Sequence, residues 1–431
     1  MREAEGDGCG RGRARPPDPK LIPGVAAGPG PAWRRKHRGG PACPRSPALP
    51  VRMAAIFWRQ RPLQGRYLGF RGMGRENGFT ALRLFAAVLV LFTHGYVLGR
   101  SSPDPVMVLT GLLPASTFGV DMFFAISGFL ICGSLRRQPD ALHYLRNRFL
   151  RIFPALLVVC LLSVFVLGPW LTTAEHYWSE PRTFAYLLNA TIYVWQPFLP
   201  GVFAQNGTAV VNGSLWTLPM ETTCYLLLLL IGWCGALNWR GVSVIVLAAY
   251  LLNLFTVFPK GATLFQYSGA LELYHLNRFM ILFAGGSLIQ LIGRPWAVSA
   301  PVTLVAGLLV LAALLLGQHD WRYFPAIYLL AWPWFVISLA YRLKGLSGLD
   351  RFDISYGIYL YSFPMQQAII QWMHGGAEPM VVNLMALAAT VVLAGASWFL
   401  IERPALSLKG RAVTAKAAAP LAAPAGSVLR S

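Results

Sequence analysis

Residues Thr80–Leu98 read TALRLFAAVLVLFTHGYVL. The stretch is apolar enough to cross a bilayer, yet it carries Arg83 and His94, eleven positions apart. At about 100° per residue, that spacing returns to within roughly 20° of the same helix face, and at about 1.5 Å rise it separates the two by roughly 16 Å. One helix therefore presents a permanent cation and a titratable imidazole at two depths along one stripe. Ionisable groups inside a bilayer are costly and face a bundle interior or a water-filled cavity. The remainder of the chain is expected to supply that interior.

The composition agrees. The chain has 431 residues, 55% hydrophobic and only 13% charged, where a soluble domain carries about 25% charged residues. Apolar runs predict an all-α polytopic membrane helix bundle of about ten transmembrane helices. The expected spans are 79–98, 118–134, 153–170, 215–234, 241–258, 279–293, 299–316, 323–341, 354–373 and 380–401, of which the second and sixth are short. The six cysteines are scattered without CxxC or CxxxC pairs, so no metal site and no disulfide framework is expected.

Loop charge orients the bundle. The stretch before the first span is basic, and Arg136, Arg137, Arg146, Arg148 and Arg151 follow the second. Arg240, Arg294, the Arg342/Lys344/Arg351 group and Lys409/Arg411 fall on the same side, which places both termini in the cytoplasm by the positive-inside rule. Residues 1–75 are rich in Arg, Pro and Gly and read as a disordered basic segment. The formal charge of +20 could suggest nucleic acid, but no base-reading fold accompanies it, and no nucleic-acid partner is expected. The membrane domain runs over 76–405, with a short cytoplasmic tail at 406–431. The long outer loop contains NGT at Asn206 and NGS at Asn212, which have the form of glycosylation acceptors.

With this orientation, His94, Asp121 and Glu221 fall in the outer half of the bilayer, on three different spans. An imidazole with one or two carboxylates is the equipment for moving a proton off a hydroxyl. Structural roles are open for each. The histidine serves equally as a packing partner, Asp121 as a helix cap, and Glu221 as a partner for backbone groups freed by Pro219. On the inner side, Arg148 and Arg151 in YLRNRFLRIFP share a helix face. Arginine forks suit phosphate, and they suit plain anchoring at the inner face as well.

In this order, the segments resemble the membrane-bound acyltransferase 3 family. The matching pieces are the Arg83-x10-His94 pattern, GVDMFFAISGFLI in the second span, RNRFLRIFPALL opening the third, SLWTLPMETTCYLL in the fourth, SYGIYLYSFP in the ninth and IERP at the end of the tenth. The resemblance covers about residues 76 to 405. It implies a multi-pass O-acyltransferase of the cell inner (cytoplasmic) membrane. Such an enzyme moves an acyl group, commonly acetyl, from acyl-CoA inside to a hydroxyl of a glycan or lipid-linked acceptor outside. Acyl-CoA is then a co-substrate, and no tightly bound cofactor is expected. By resemblance, His94 is the catalytic base or acyl carrier and Glu221 a further site residue. Arg83, Arg148 and Arg151 hold the donor, and Asp121 joins the catalytic group by its depth. Two departures stand out: Ser362 occupies a place where many relatives have His, and the fourth-span motif keeps Glu221 but lacks the EQ pair. No SGNH-type hydrolase domain follows the last span, so the membrane domain is expected to act alone or with a separate partner. A secondary transporter of a polar solute would also use ten spans with buried charges, but it predicts inverted repeats or broken midplane helices, which are not evident.

Overall fold

The computed structural model describes residues 77–100, 102–257, 273–374 and 378–409. The segment 1–75 and most of the tail expected at 406–431 lie outside the described residues. Among the described residues there are ten long helices and no strand beyond one isolated bridge between Thr172 and Val202. They are α1 (Phe79–Arg100), α2 (Ala115–Arg137), α3 (Ala141–Leu162), α4 (Leu218–Trp233), α5 (Trp239–Val257), α6 (Leu273–Ile292), α7 (Ala300–His319), α8 (Tyr323–Ala340), α9 (Ser355–Trp372) and α10 (Pro379–Ser397). Eight helical stretches are long and apolar enough to cross a membrane. The other two of the ten are α5 and α9. The latter carries Ser362, Gln366 and Gln367, all fully buried within the bundle. The chain is a polytopic helical membrane protein.

The second and sixth spans are longer than their apolar runs suggest: α2 has 23 residues and α6 has 20. The two pack backbone to backbone. A Cβ added at Gly128 would overlap the Phe283 carbonyl, and one added at Gly286 would overlap that of Ala125. Small residues permit this approach, as is usual where lipid supplies no hydrophobic drive for association. Ser287 Oγ donates across the seam to Gly128 O at 3.0 Å.

Two expectations about boundaries change. The basic stretch after the second span is helix, not loop. Asp140 accepts from His143 N at 2.8 Å and starts α3, so Arg146, Arg148 and Arg151 lie on its first three turns. The connection from α3 to α4 also turns back into the bundle. Asn212 Nδ2 donates to Leu360 O at 2.8 Å, and Tyr359 OH donates to Ser214 O at 2.7 Å, both partners lying in the second turn of α9. The α-helical part of α4 is consequently only 16 residues, about 24 Å at 1.5 Å per residue.

This packing answers the question raised by the two sequons. Asn206 Nδ2 donates to Gln367 O and Oε1, at 2.9 and 2.8 Å, and Asn212 is 2% exposed. Both amides are therefore engaged in the fold. Expression through a eukaryotic secretory pathway is expected to leave both unmodified, with no gel shift on endoglycosidase treatment; a shift lost in an Asn212→Gln variant would contradict this packing.

Candidate active site

Helix α1 keeps the stripe read from its sequence. Both Arg83 and His94 face α9 and the residue leading into it. Arg83 donates to Asp353 Oδ2 at 2.5 Å, and the His94 ring meets Phe363 edge-on, with centroids 5.0 Å apart and planes at 78°. Helices α1 and α9 run in the same direction, so the charged contact lies at one end of the stripe and the imidazole further along.

The charged end is a network. Asp353 Oδ2 also accepts from Arg151 at 2.8 Å, while its Oδ1 accepts from Ser355 Oγ at 2.6 Å. Arg151 reaches Glu402 Oε2 at 3.6 Å on its other side. Glu402 is turned inward by a π-helical turn over Trp398–Glu402, which buries it and leaves Arg403 exposed. Such turns often mark functional sites. Burial alone would raise the Asp353 carboxyl; the Arg83 and Arg151 guanidiniums more than offset this and hold it below the usual carboxylate range. A carboxyl depressed in the folded state contributes stability above its unfolded value, and that contribution fades only as pH falls through the folded value. The contacts of Asp353 with Arg83 and Arg151 therefore persist at neutral and mildly acidic pH.

Arg83 also lines a cavity of about 50 Å³ with Ser127, Thr217, Glu221, Tyr356 and Tyr359. Tyr225 OH donates to Glu221 Oε1. Glu221 is therefore grouped with Arg83, not with His94 as its expected depth implied, because the connection before α4 descends into the bundle. Between cavity and imidazole lie aromatic rings: Phe123 meets Tyr359 edge-on at 5.8 Å, and Phe363 follows one turn along α9.

The surroundings of His94 are clamped. Gln366 Nε2 donates to Leu91 O at 2.7 Å and to Asn383 Oδ1 at 2.8 Å, and Asn383 Nδ2 donates to Phe92 O at 3.0 Å. A side chain at Gly95 would collide with Asn383, so the glycine lets this pair reach the α1 backbone. His94 Nδ1 is buried without a hydrogen-bond partner among the described residues. Ser362, at the position often His in relatives, is fully buried, and its Oγ likewise has no partner there.

Asp121 stands apart from both groups. It is 0% exposed, and its Oδ2 accepts from Arg278 at 2.5 Å and from Tyr328 OH at 2.9 Å, joining α2 to α6 and α8. It is not a cap, since α2 begins at Ala115. It belongs to a buried pair whose disruption leaves Arg278 uncompensated. Asp121→Asn is expected to cost about 1–3 kcal/mol of stability, measured by thermal unfolding in detergent, with the folded fraction keeping its activity. Activity abolished in fully folded protein would return Asp121 to the catalytic group.

Arg148 and Arg151 share a face but not a role. Arg151 is bound to two carboxylates, whereas Arg148 stacks over Tyr144 and Tyr225, 6.0 and 5.8 Å from their centroids. Its Nε is buried without a partner among the described residues. Asp353, Arg278 and Glu402 complete these networks. Asp353 is the one whose importance had a sequence signal: it is an acid at the head of a span, directly after a basic loop.

Comparison with known proteins bears on what this bundle does. The acyltransferase domain of the acyltransferase 3 family matches residues 76–401. The chain belongs to this family of membrane-bound acyltransferases, and it is an O-acetyltransferase-type enzyme. Among its relatives is an O-acetyl transferase of Shigella phage Sf6, 30% identical over 333 residues, covering 77% of this chain and 96% of the relative. Nodulation protein 10 of Rhizobium leguminosarum bv. viciae is 30% identical over 368 residues, covering 78% and 95%. The O-acetyltransferase OatA of Staphylococcus aureus is 24% identical over 359 residues, covering 76% of this chain and 56% of the relative. No solved structure matches the chain.

Proposed function

We propose that this O-acyltransferase takes an acetyl group from acetyl-CoA on the cytoplasmic side of the inner membrane. It transfers the group to a hydroxyl of a glycan or lipid-linked glycan at the outer face. The observation carrying this reading is that one helix bears both ends of the route: Arg83 on the polar cavity, and His94 farther along the same stripe with an unpartnered Nδ1. A donor arm entering past Arg148 and Arg83 extends toward His94. There the imidazole takes the proton of the acceptor hydroxyl. The hydroxyl oxygen bonds to the acyl carbon, the carbon–sulfur bond breaks, and the proton passes to the departing CoA thiolate, giving an ester and a free thiol. Glu221, held by Tyr225, balances Arg83 across the cavity. Both termini lie in the cytoplasm in this reading.

The test is sidedness. Labelled acetyl-CoA given to inside-out vesicles should label the envelope glycan fraction, and given to right-side-out vesicles it should not. Labelling only in right-side-out vesicles would reverse the proposed direction.

A further inference from the structure

Three cations meet where the helical stretch that continues from α10 to Lys409 ends against α3. Arg146 Nη2 donates to Leu408 O at 2.7 Å and Lys409 O at 3.3 Å, drawing the end of the C-terminal helical stretch onto α3. Arg146 thereby caps carbonyls that a helix end leaves unsatisfied. The contact brings the half-buried Lys409 within electrostatic reach of Arg148 and Arg151. Arg151 is neutralised by Asp353 and Glu402. Arg148 has no carboxylate partner among the described residues, and the Nε atoms of Arg146 and Arg148 are buried without partners. Like charges gathered at partly buried positions repel, and the arrangement becomes favourable once a polyanion joins it.

We propose that Lys409, with Arg146 and Arg148, forms a clamp for the phosphates of the donor's adenosine 3′,5′-bisphosphate head, and that Arg151 is not part of it. The inference rests on the acyl-CoA reading above and assigns the donor's head to one end of that route. The rings of Tyr144 and Tyr225 under Arg148 fix its guanidinium beside the phosphates. Tyr225 also continues to Glu221, so the clamp adjoins the cavity through which the donor arm passes. An anionic lipid headgroup offers the same phosphate chemistry, and the test separates the two.

The experiment measures binding to the full chain in lipid nanodiscs, with CoA, adenosine 3′,5′-bisphosphate and pantetheine as separate probes. In purely zwitterionic lipid, Lys409→Ala should weaken CoA and the bisphosphate roughly tenfold, the size of one charge-assisted contact. Pantetheine binding should not change, and Lys409→Arg should restore the head-group affinity. Equal weakening of all three probes would overturn the clamp, as would no weakening of any. An effect of Lys409 seen only with anionic lipid present would assign the cluster to headgroups and overturn it too. Wild-type protein that binds none of the probes would overturn the acyl-CoA reading, and this assignment with it; normal CoA binding that ignores Lys409 overturns the clamp alone. Should Lys409→Ala not fold, Lys409→Gln carries the same comparison.

Discussion

Asp353→Ala is expected to destabilise the protein by about 3–5 kcal/mol, the cost of removing one partner from a buried ion pair. Here the loss is felt twice, because a single carboxylate oxygen accepts from Arg83 at 2.5 Å and from Arg151 at 2.8 Å. Both guanidiniums are largely buried, with side chains 21% and 15% exposed. Without the carboxylate they face each other, with Glu402 beside Arg151 and Glu221 across the cavity from Arg83 as the remaining counter-charges. The consequence extends beyond stability. Arg83 lines the cavity through this anchor, so folded protein recovered from the variant should also lose acyl transfer. Thermal unfolding in detergent and transfer activity per folded molecule read the two effects separately. Asp353→Asn keeps the size of the side chain and removes its charge, so it should fall between wild type and Asp353→Ala in stability. A variant as stable and active as wild type would show that the network is incidental.

The largest effect on chemistry is expected from His94→Ala. General acid–base catalysis by a positioned side chain contributes about 10²–10⁴-fold to a rate, and a loss of that size is predicted with insertion and fold retained. His94 packs against Phe363 and, among the described residues, makes no hydrogen bond that holds α1 in place; that part belongs to Gln366 and Asn383. Replacing the ring therefore leaves the helix anchored. Gly95 gives a contrasting probe: a side chain there would displace Asn383 from the α1 backbone. Gly95→Ala should reduce transfer through misplacement of His94 and should lower stability as well, which His94→Ala should do far less.

Much of this architecture is legible in the chain itself. The stripe of Arg83 and His94 follows from helical periodicity alone, and both residues do face α9. The spans follow from hydropathy, α9 included, although its glutamines make it one of the more polar, and neighbouring helices shelter them. What hydropathy cannot convey is how far a connection dips into the bundle. The polar segment before α4 spends its hydrogen bonds on the α9 backbone at Leu360 and on Tyr359, and this carries Glu221 down to the level of Arg83. Pairing across distant sequence is equally hidden. Asp121 reads as one of a trio at one depth, and only the fold shows that its partners are Arg278 and Tyr328, on two other helices. Arg148 and Arg151 look equivalent by spacing, yet the inward turn of Glu402 commits only Arg151 to carboxylates.

The most direct test of the central claim, that Arg83 and His94 serve a single transfer along α1, is a double-variant comparison. Inside-out vesicles carrying wild type, Arg83→Ala, His94→Ala or both substitutions would receive labelled acetyl-CoA and crude envelope glycan. Residues that act as a unit are strongly non-additive. Each single variant is predicted to fall to nearly the same floor as the double, with CoA release lost in parallel with glycan labelling. Wild-type labelling by the His94→Ala protein, or losses that multiply cleanly in the double variant, would contradict the account.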